Sequence, residues 1–122
     1  MAIKNNAHDH KYRYVRADGD EARVNSDQVK EDETWTVTFI GNHKVQFKSR
    51  HNKYMKAYDW DNVKADAPKA QDWETFTVEE DGYGYYFRTQ HGKYLSHEGD
   101  RNLWQRGEKG TWQKFEVEHI CK

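Results

Sequence analysis

Tyr14-Val15-Arg16-Ala17, Tyr54-Met55-Lys56-Ala57 and Tyr94-Leu95-Ser96-His97 stand 40 residues apart, and that interval decides the fold. Nine or ten residues after each Tyr comes an apolar residue, Val24, Val63 and Leu103. A Trp follows nine to eleven residues later, at Trp35, Trp73 and Trp112. After each Trp the pattern alternates, as in Trp73-Glu-Thr-Phe76-Thr-Val78 and Trp112-Gln-Lys-Phe115-Glu-Val117; the first copy reads Trp35-Thr-Val37-Thr-Phe39. Before each Tyr lies another short alternating piece, Ile3-Lys4, Phe47-Lys48 and Phe87-Arg88, with four extra residues in copy one around Asn5 to His10.

All these pieces have a period near two, the period of strands, and the intervals between them hold Gly, Asp, Asn and Ser. Four short strands per copy make twelve. Three copies are too few for a propeller, whereas three four-stranded units closing on themselves leave no free sheet edge to defend. The sequence predicts an all-β fold, a β-trefoil with pseudo-threefold symmetry, formed as a single domain over residues 1–122 with repeats at about 1–42, 43–82 and 83–122. By equivalence, Trp35, Trp73 and Trp112 are expected to fill the threefold core, because repeats keep what each unit must bury.

Composition narrows the partners. Leu, Ile, Val and Phe number only 18 of 122 residues, so aromatics at 15% of the chain must supply much of the core. Twenty basic against 21 acidic residues leave no general positive field for a phosphate backbone, which argues against nucleic acid. No apolar run approaches the ~18 residues of a membrane span. The N-terminus has no apolar signal-like stretch, and Ala2 stands where myristoylation needs glycine. The expectation is a soluble protein made in the cytoplasm, or released without a signal peptide. Cys121 has no internal disulfide partner.

His91-Gly92-Lys93-Tyr94-Leu95-Ser96, its counterpart His51-Asn52-Lys53-Tyr54-Met55-Lys56 and the aromatic closing strand resemble the fascin and hisactophilin group of β-trefoils. That resemblance implies the trefoil fold and, as a function, actin binding or another cytoskeletal role. Separately, Lys93-Tyr94-Leu95-Ser96-His97-Glu98-Gly99-Asp100 is loosely similar to the galactose-binding loop of bivalve β-trefoil lectins, with Glu98 where a Pro is usual.

The turns after each Tyr segment collect the groups a sugar site needs. Copy one has Asp18 and Asp20. Copy two has Asp59, Trp60, Asp61 and Asn62, and copy three has His97, Glu98, Asp100, Arg101, Asn102 and Trp104. A carboxylate accepts from vicinal hydroxyls, an amide donates and accepts, and a ring covers an apolar C–H face. The same Asp, Asn and Gly residues are also ordinary turn formers. Copy three is expected to bind best, copy two next, and ring-free copy one least. The repeat does not require Trp60 or Trp104, which also makes them candidates for a homodimer interface.

Seven histidines show none of the usual metal-site spacings, and His51 and His91 are expected to be exposed. No nucleophile motif or phosphate-cradling loop is present. The reading is therefore a non-enzymatic lectin without metal or cofactor. It would recognise galactose or N-acetylgalactosamine glycans, carried on glycolipids or glycoproteins, through the polar–aromatic turns. The cytoskeletal role is the alternative.

Overall fold

The computed structural model describes residues 1–6, 13–82 and 84–118. These form twelve strands: β1 (Ala2–Asn5), β2 (Tyr14–Asp18), β3 (Glu21–Ser26), β4 (Thr36–Gly41), β5 (Lys44–Lys48), β6 (Tyr54–Ala57), β7 (Val63–Ala67), β8 (Phe76–Glu80), β9 (Tyr85–Arg88), β10 (Tyr94–His97), β11 (Leu103–Arg106) and β12 (Phe115–Glu118). Single 3-10 turns at Glu31–Glu33, Asp72–Glu74 and Thr111–Gln113 precede β4, β8 and β12. Among the described residues no helix is long and apolar enough to cross a membrane.

The strands sort into a barrel and a cap. β1, β12, β9, β8, β5 and β4 pair in that order. The ring closes where the Met1 and Trp35 main chains exchange two hydrogen bonds of 2.7 Å. The remaining strands form the hairpins β2–β3, β6–β7 and β10–β11. At the threefold axis they interlock cyclically. Ala65 N–H donates to the Asp20 carbonyl at 2.9 Å, Gln105 N–H to Asp61 at 2.9 Å, and Val24 N–H to Arg101 at 2.7 Å. The chain is thus a β-trefoil of three equivalent units.

Threefold layers fill the core. Ile3, Phe47 and Phe87 form one, Val15, Met55 and Leu95 another, and all six are buried. Phe47 meets Phe76 at 5.5 Å and Phe87 at 5.1 Å, and Phe87 meets Phe115 at 5.8 Å, tilted or edge-on as ring quadrupoles prefer.

Two equivalences drawn from the sequence need correcting. Trp35 aligns with Phe76 and Phe115, all three at most 1% exposed. Trp73 and Trp112 sit three residues earlier, inside the 3-10 turns and only half-buried, where copy one has Asp32. The reason is the turn itself. Glu33, Glu74 and Gln113 each reach back to accept a main-chain N–H, from Lys30, Gln71 and Gly110, at 2.7–2.8 Å. That contact fixes the register so that the residue two positions on enters the core. The β2–β3 turn is also one residue short, so that Ala22 rather than Val24 matches Val63 and Leu103.

Truncation separates the two registers. Phe115→Ala should cost about 3–5 kcal/mol, the usual loss for a fully buried ring. Trp112→Ala should cost about 1–2 kcal/mol, as for a half-buried side chain. Urea unfolding of both variants measures the difference; equal losses would contradict this alignment.

Candidate functional site

The corrected register defines an equivalent lateral position in each repeat, between the first strand of the cap hairpin and the 3-10 turn, and it is an open groove in repeats one and two. The three positions share a backbone and differ in chemistry. In repeat one the groove holds about 580 Å³ and is lined by charge, including Arg16, Arg50, Glu31, Asp32 and Glu33. Arg16 bonds Asp32 at 3.1 Å, and Arg50 bonds Glu31 at 2.9 Å and Asp32 at 3.2 Å, so its ions are largely paired to each other.

The groove of repeat two holds about 490 Å³ and is lined by Lys56, Gln71, Asp72, Trp73 and Glu74. Here a ring replaces the acid. Trp73 meets the rings of His91 at 4.8 Å and Tyr58 at 6.2 Å, both near edge-on. The Lys56 ammonium lies 5.5 Å from the Trp73 ring and 4.9 Å from Tyr58, with the Glu74 carboxylate 3.9 Å away. Tyr58 donates to Asp66 at 2.6 Å. Burial, with this carboxylate acceptor second, pushes the phenol well above its ordinary range, so it stays a neutral donor. His91 is half-buried rather than exposed, with Nε2 at 2.9 Å from the Ala57 carbonyl. His51 is exposed.

In repeat three, side chains knit across the equivalent space. Gln113 donates to Ser96 at 2.7 Å, Ser96 hydrogen-bonds Glu98, and Arg106 donates to Glu98 at 3.0 Å. Trp112 packs on His97 at 5.4 Å.

Most of the turn residues expected to meet a sugar also make contacts within the protein. Asp18 pairs with Arg23 at 2.9 Å, Asp20 lies 3.8 Å from Lys53, and Asp61 binds Lys93 with Arg106 at 3.8 Å. Asp100 accepts Trp104 Nε1 at 2.9 Å, and the Arg106 guanidinium covers the Trp104 ring at 5.4 Å. Asn102 accepts from Arg23 at 2.5 Å. His97 is 2% exposed and takes the core position of Ala17 and Ala57. Arg101 has φ 77° and spends its carbonyl on the axial lock. Asn62, Asn102 and Trp104 come together around a hollow of about 260 Å³ beside the axis, with Glu21, Arg23 and Lys64. Asp59 and Trp60 remain outward, Trp60 at 73% exposure.

Reading the sequence for turns missed Lys56, Tyr58, Gln71, Asp72, Trp73 and His91 as a group. The available signal was Glu33-Thr34-Trp35 against Glu74-Thr75-Phe76, which shifts Trp73 out of the core. Among the described residues no cluster of three or more His, Cys, Asp or Glu is arranged to hold a metal ion. His8, His10, His119 and Cys121 lie outside the described residues.

No protein-family model and no curated protein sequence matches the chain, so the motif resemblance to fascin and hisactophilin gains no family match. Solved structures are similar in fold. A designed three-fold symmetric protein, ThreeFoil, superposes with a TM-score of 0.82 at 17% identity, over 98% of this chain and 97% of its own. SeviL, in a structure bound to asialo-GM1 saccharide, superposes with a TM-score of 0.77 at 16% identity, over 94% of this chain and 92% of its own.

The lysine of each Lys-Tyr phrase in repeats two and three holds a turn acid of the preceding repeat, and this sets an acid limit on stability. The hydrogen bond from Lys93 holds the Asp61 carboxyl below its ordinary 3.8. A carboxylate with a depressed folded value stabilises the fold above pH 3.8 and loses that contribution as pH falls through the folded value. Asp61→Asn should therefore lower Tm at pH 6 and converge on the wild type below pH 3.8. A series of melting curves from pH 6 to pH 2.5 checks it, and a pH-independent gap would exclude the ion pair as the cause.

Proposed function

We propose that this protein is a non-enzymatic, metal-independent carbohydrate-binding protein, and that its principal site is the groove of repeat two. The observation that supports the reading is the grouping of one half-buried indole with an exposed carboxylate, an amide and an ammonium in a solvent-open groove. It lies on a fold shared with SeviL, whose structure holds a saccharide.

Each part has a task. Trp73 covers the apolar C–H face of a pyranose, Asp72 accepts from hydroxyls, and Gln71 and Lys56 donate to ring and hydroxyl oxygens. Glu74 is not free to do this, because it caps the 3-10 turn through the Gln71 N–H. Galactose and N-acetylgalactosamine suit such a groove, since an axial hydroxyl leaves an extended C–H face for the ring. Asp59 and Trp60, exposed in the turn that follows Tyr58, are the proposed contacts for further sugar units of a glycolipid or glycoprotein chain. The repeat-three set of Glu98, Asp100, Arg101, Asn102 and Trp104 ranks second, because its acids are already held by Ser96, Arg106 and Trp104. Repeat one, with Asp32 in the ring position and only Asp18 and Asp20 in its turn, ranks last.

A glycan array followed by titration with a galactoside tests this assignment. Trp73→Ala and Asp72→Asn should each weaken binding about ten- to a hundredfold, matching the ~1.5–3 kcal/mol of a charge-assisted hydrogen bond. Asp100→Ala should change affinity less than threefold, and EDTA should have no effect. Full binding by Trp73→Ala, or an array with no galactoside signal, would sink the proposal.

A further inference from the structure

The barrel end away from the cap has features that the glycan groove does not use. The β4–β5 and β8–β9 hairpins turn at this end, while β5 and β9 lead into the cap hairpins at the other. Among the described residues the exposed large hydrophobics are Phe39 at 66%, Ile40 at 48% and Trp60. Phe39 and Ile40 share the tip of β4–β5. Phe39 also stands at the edge of an apolar hollow of about 260 Å³ in the barrel, with Val37, Val45, Val78, Phe87 and Val117 in its walls. A cavity of about 150 Å³ with such a lining accepts benzene, so this one has room for a phenyl ring. One patch thus carries both a protruding ring and a hollow that fits a ring.

Charge selects the occupant. His43 and Lys44 stand exposed on the hairpin tip. Across the opening a second groove shares Tyr85 and Val117 with the hollow and is walled by Glu80, Glu116 and Glu118. Among the described residues Lys44, Glu80 and Glu116 form no ion pair. A two-fold axis through the hollow sets the basic tip of one molecule against the acidic wall of the other. It also delivers each Phe39 to the opposite hollow, the self-complementarity an isologous interface requires. A neutral apolar partner would leave these charges unanswered.

We propose that the barrel mouth is the homodimer interface, with a second copy of this chain as its occupant, Phe39 as the central anchor and Lys44 facing Glu80 and Glu116. This moves the interface away from Trp60 and Trp104 and leaves the grooves of both copies open to glycan.

Sedimentation equilibrium with parallel circular dichroism tests it. Wild-type protein should show twice the 14.6 kDa chain mass. Phe39→Asp should raise the dimer dissociation constant about thirtyfold or more, as loss of a central anchor does, with an unchanged spectrum and unchanged galactoside affinity per site. Lys44→Glu should weaken the dimer, Lys44→Glu with Glu116→Lys should restore it, and Trp60→Ala should leave it intact. A wild-type monomer at millimolar concentration would overturn the proposal, as would a Phe39→Asp dimer or a dimer lost in Trp60→Ala. Monomeric wild type that sediments with phosphatidylcholine vesicles while Phe39→Asp does not would overturn it in favour of a membrane surface.

Discussion

The cyclic exchange of main-chain hydrogen bonds at the threefold axis is the constraint on which the rest of the structure depends. Each cap hairpin joins the barrel through a narrow junction, one ladder pair (Lys4 with Tyr14, Lys48 with Tyr54, Arg88 with Tyr94) and one flanking main-chain bond. So narrow a junction by itself leaves a hairpin some freedom to swing. The carbonyls of Asp20, Asp61 and Arg101, each taken by the next hairpin, remove that freedom. To aim those carbonyls inward the turn backbone bends sharply, and Asp61 and Arg101 take positive φ values of 72° and 77°. Non-glycine residues accept that conformation at a cost that surrounding contacts must offset. Lys93 on Asp61 is such a contact.

This accounts for what the sequence made legible and what it hid. Strand periodicity and the 40-residue spacing follow from burial on alternate faces, which is a local property, so the twelve strands and the trefoil could be read directly. Turn chemistry was ambiguous because one residue type serves two ends. Asp20 and Asp61 recur for a structural reason, and composition alone cannot separate a lysine-bound carboxylate from one awaiting a hydroxyl. The tryptophans misled for a different reason. Trp35 fills the core, while Trp73 and Trp112 belong to a turn whose register is set by Glu74 and Gln113. Matching Glu33-Thr34-Trp35 to Glu74-Thr75-Phe76 carries the three-residue offset, and the side chain reaching back to its own main chain is its physical cause.

Within one backbone the three repeats have taken separate chemical characters through a few substitutions at matched positions. Asp32, Trp73 and Trp112 occupy one such position, and Arg16, Lys56 and Ser96 another. In repeat one an acid beside a guanidinium produces a salt-bridged surface, where a ligand must compete with pairs already formed. In repeat two a ring beside an ammonium leaves a hydrophobic face bordered by hydrogen-bonding groups. A neutral polyol gains most from the second arrangement, where the Lys56–Glu74 pair is long at 3.9 Å and the ring itself is uncharged. The pseudo-symmetry of the fold therefore does not imply three equal sites.

In repeat three, side chains cross the space equivalent to the open groove of repeat two. The repeat-three core position equivalent to Ala17 and Ala57 is His97, and the position equivalent to Val24 and Ala65 is Gln105, 0% exposed. Most buried polar groups find a partner, and here Gln105 is bonded through Nε2 while its Oε1 has none among the described residues. Gln105 hydrogen-bonds the Tyr58 carbonyl and donates to the Asn62 carbonyl at 3.3 Å, while the His97 ring accepts from Gly99 N–H at 3.1 Å and packs on Trp112. The indole that in repeat two borders an open groove is here recruited to cover a buried imidazole. A histidine at the position of a core alanine thus goes with a different surface above it, one that Trp112 covers. A buried glutamine of repeat three holds the main chain of the repeat-two turn at Tyr58 and Asn62.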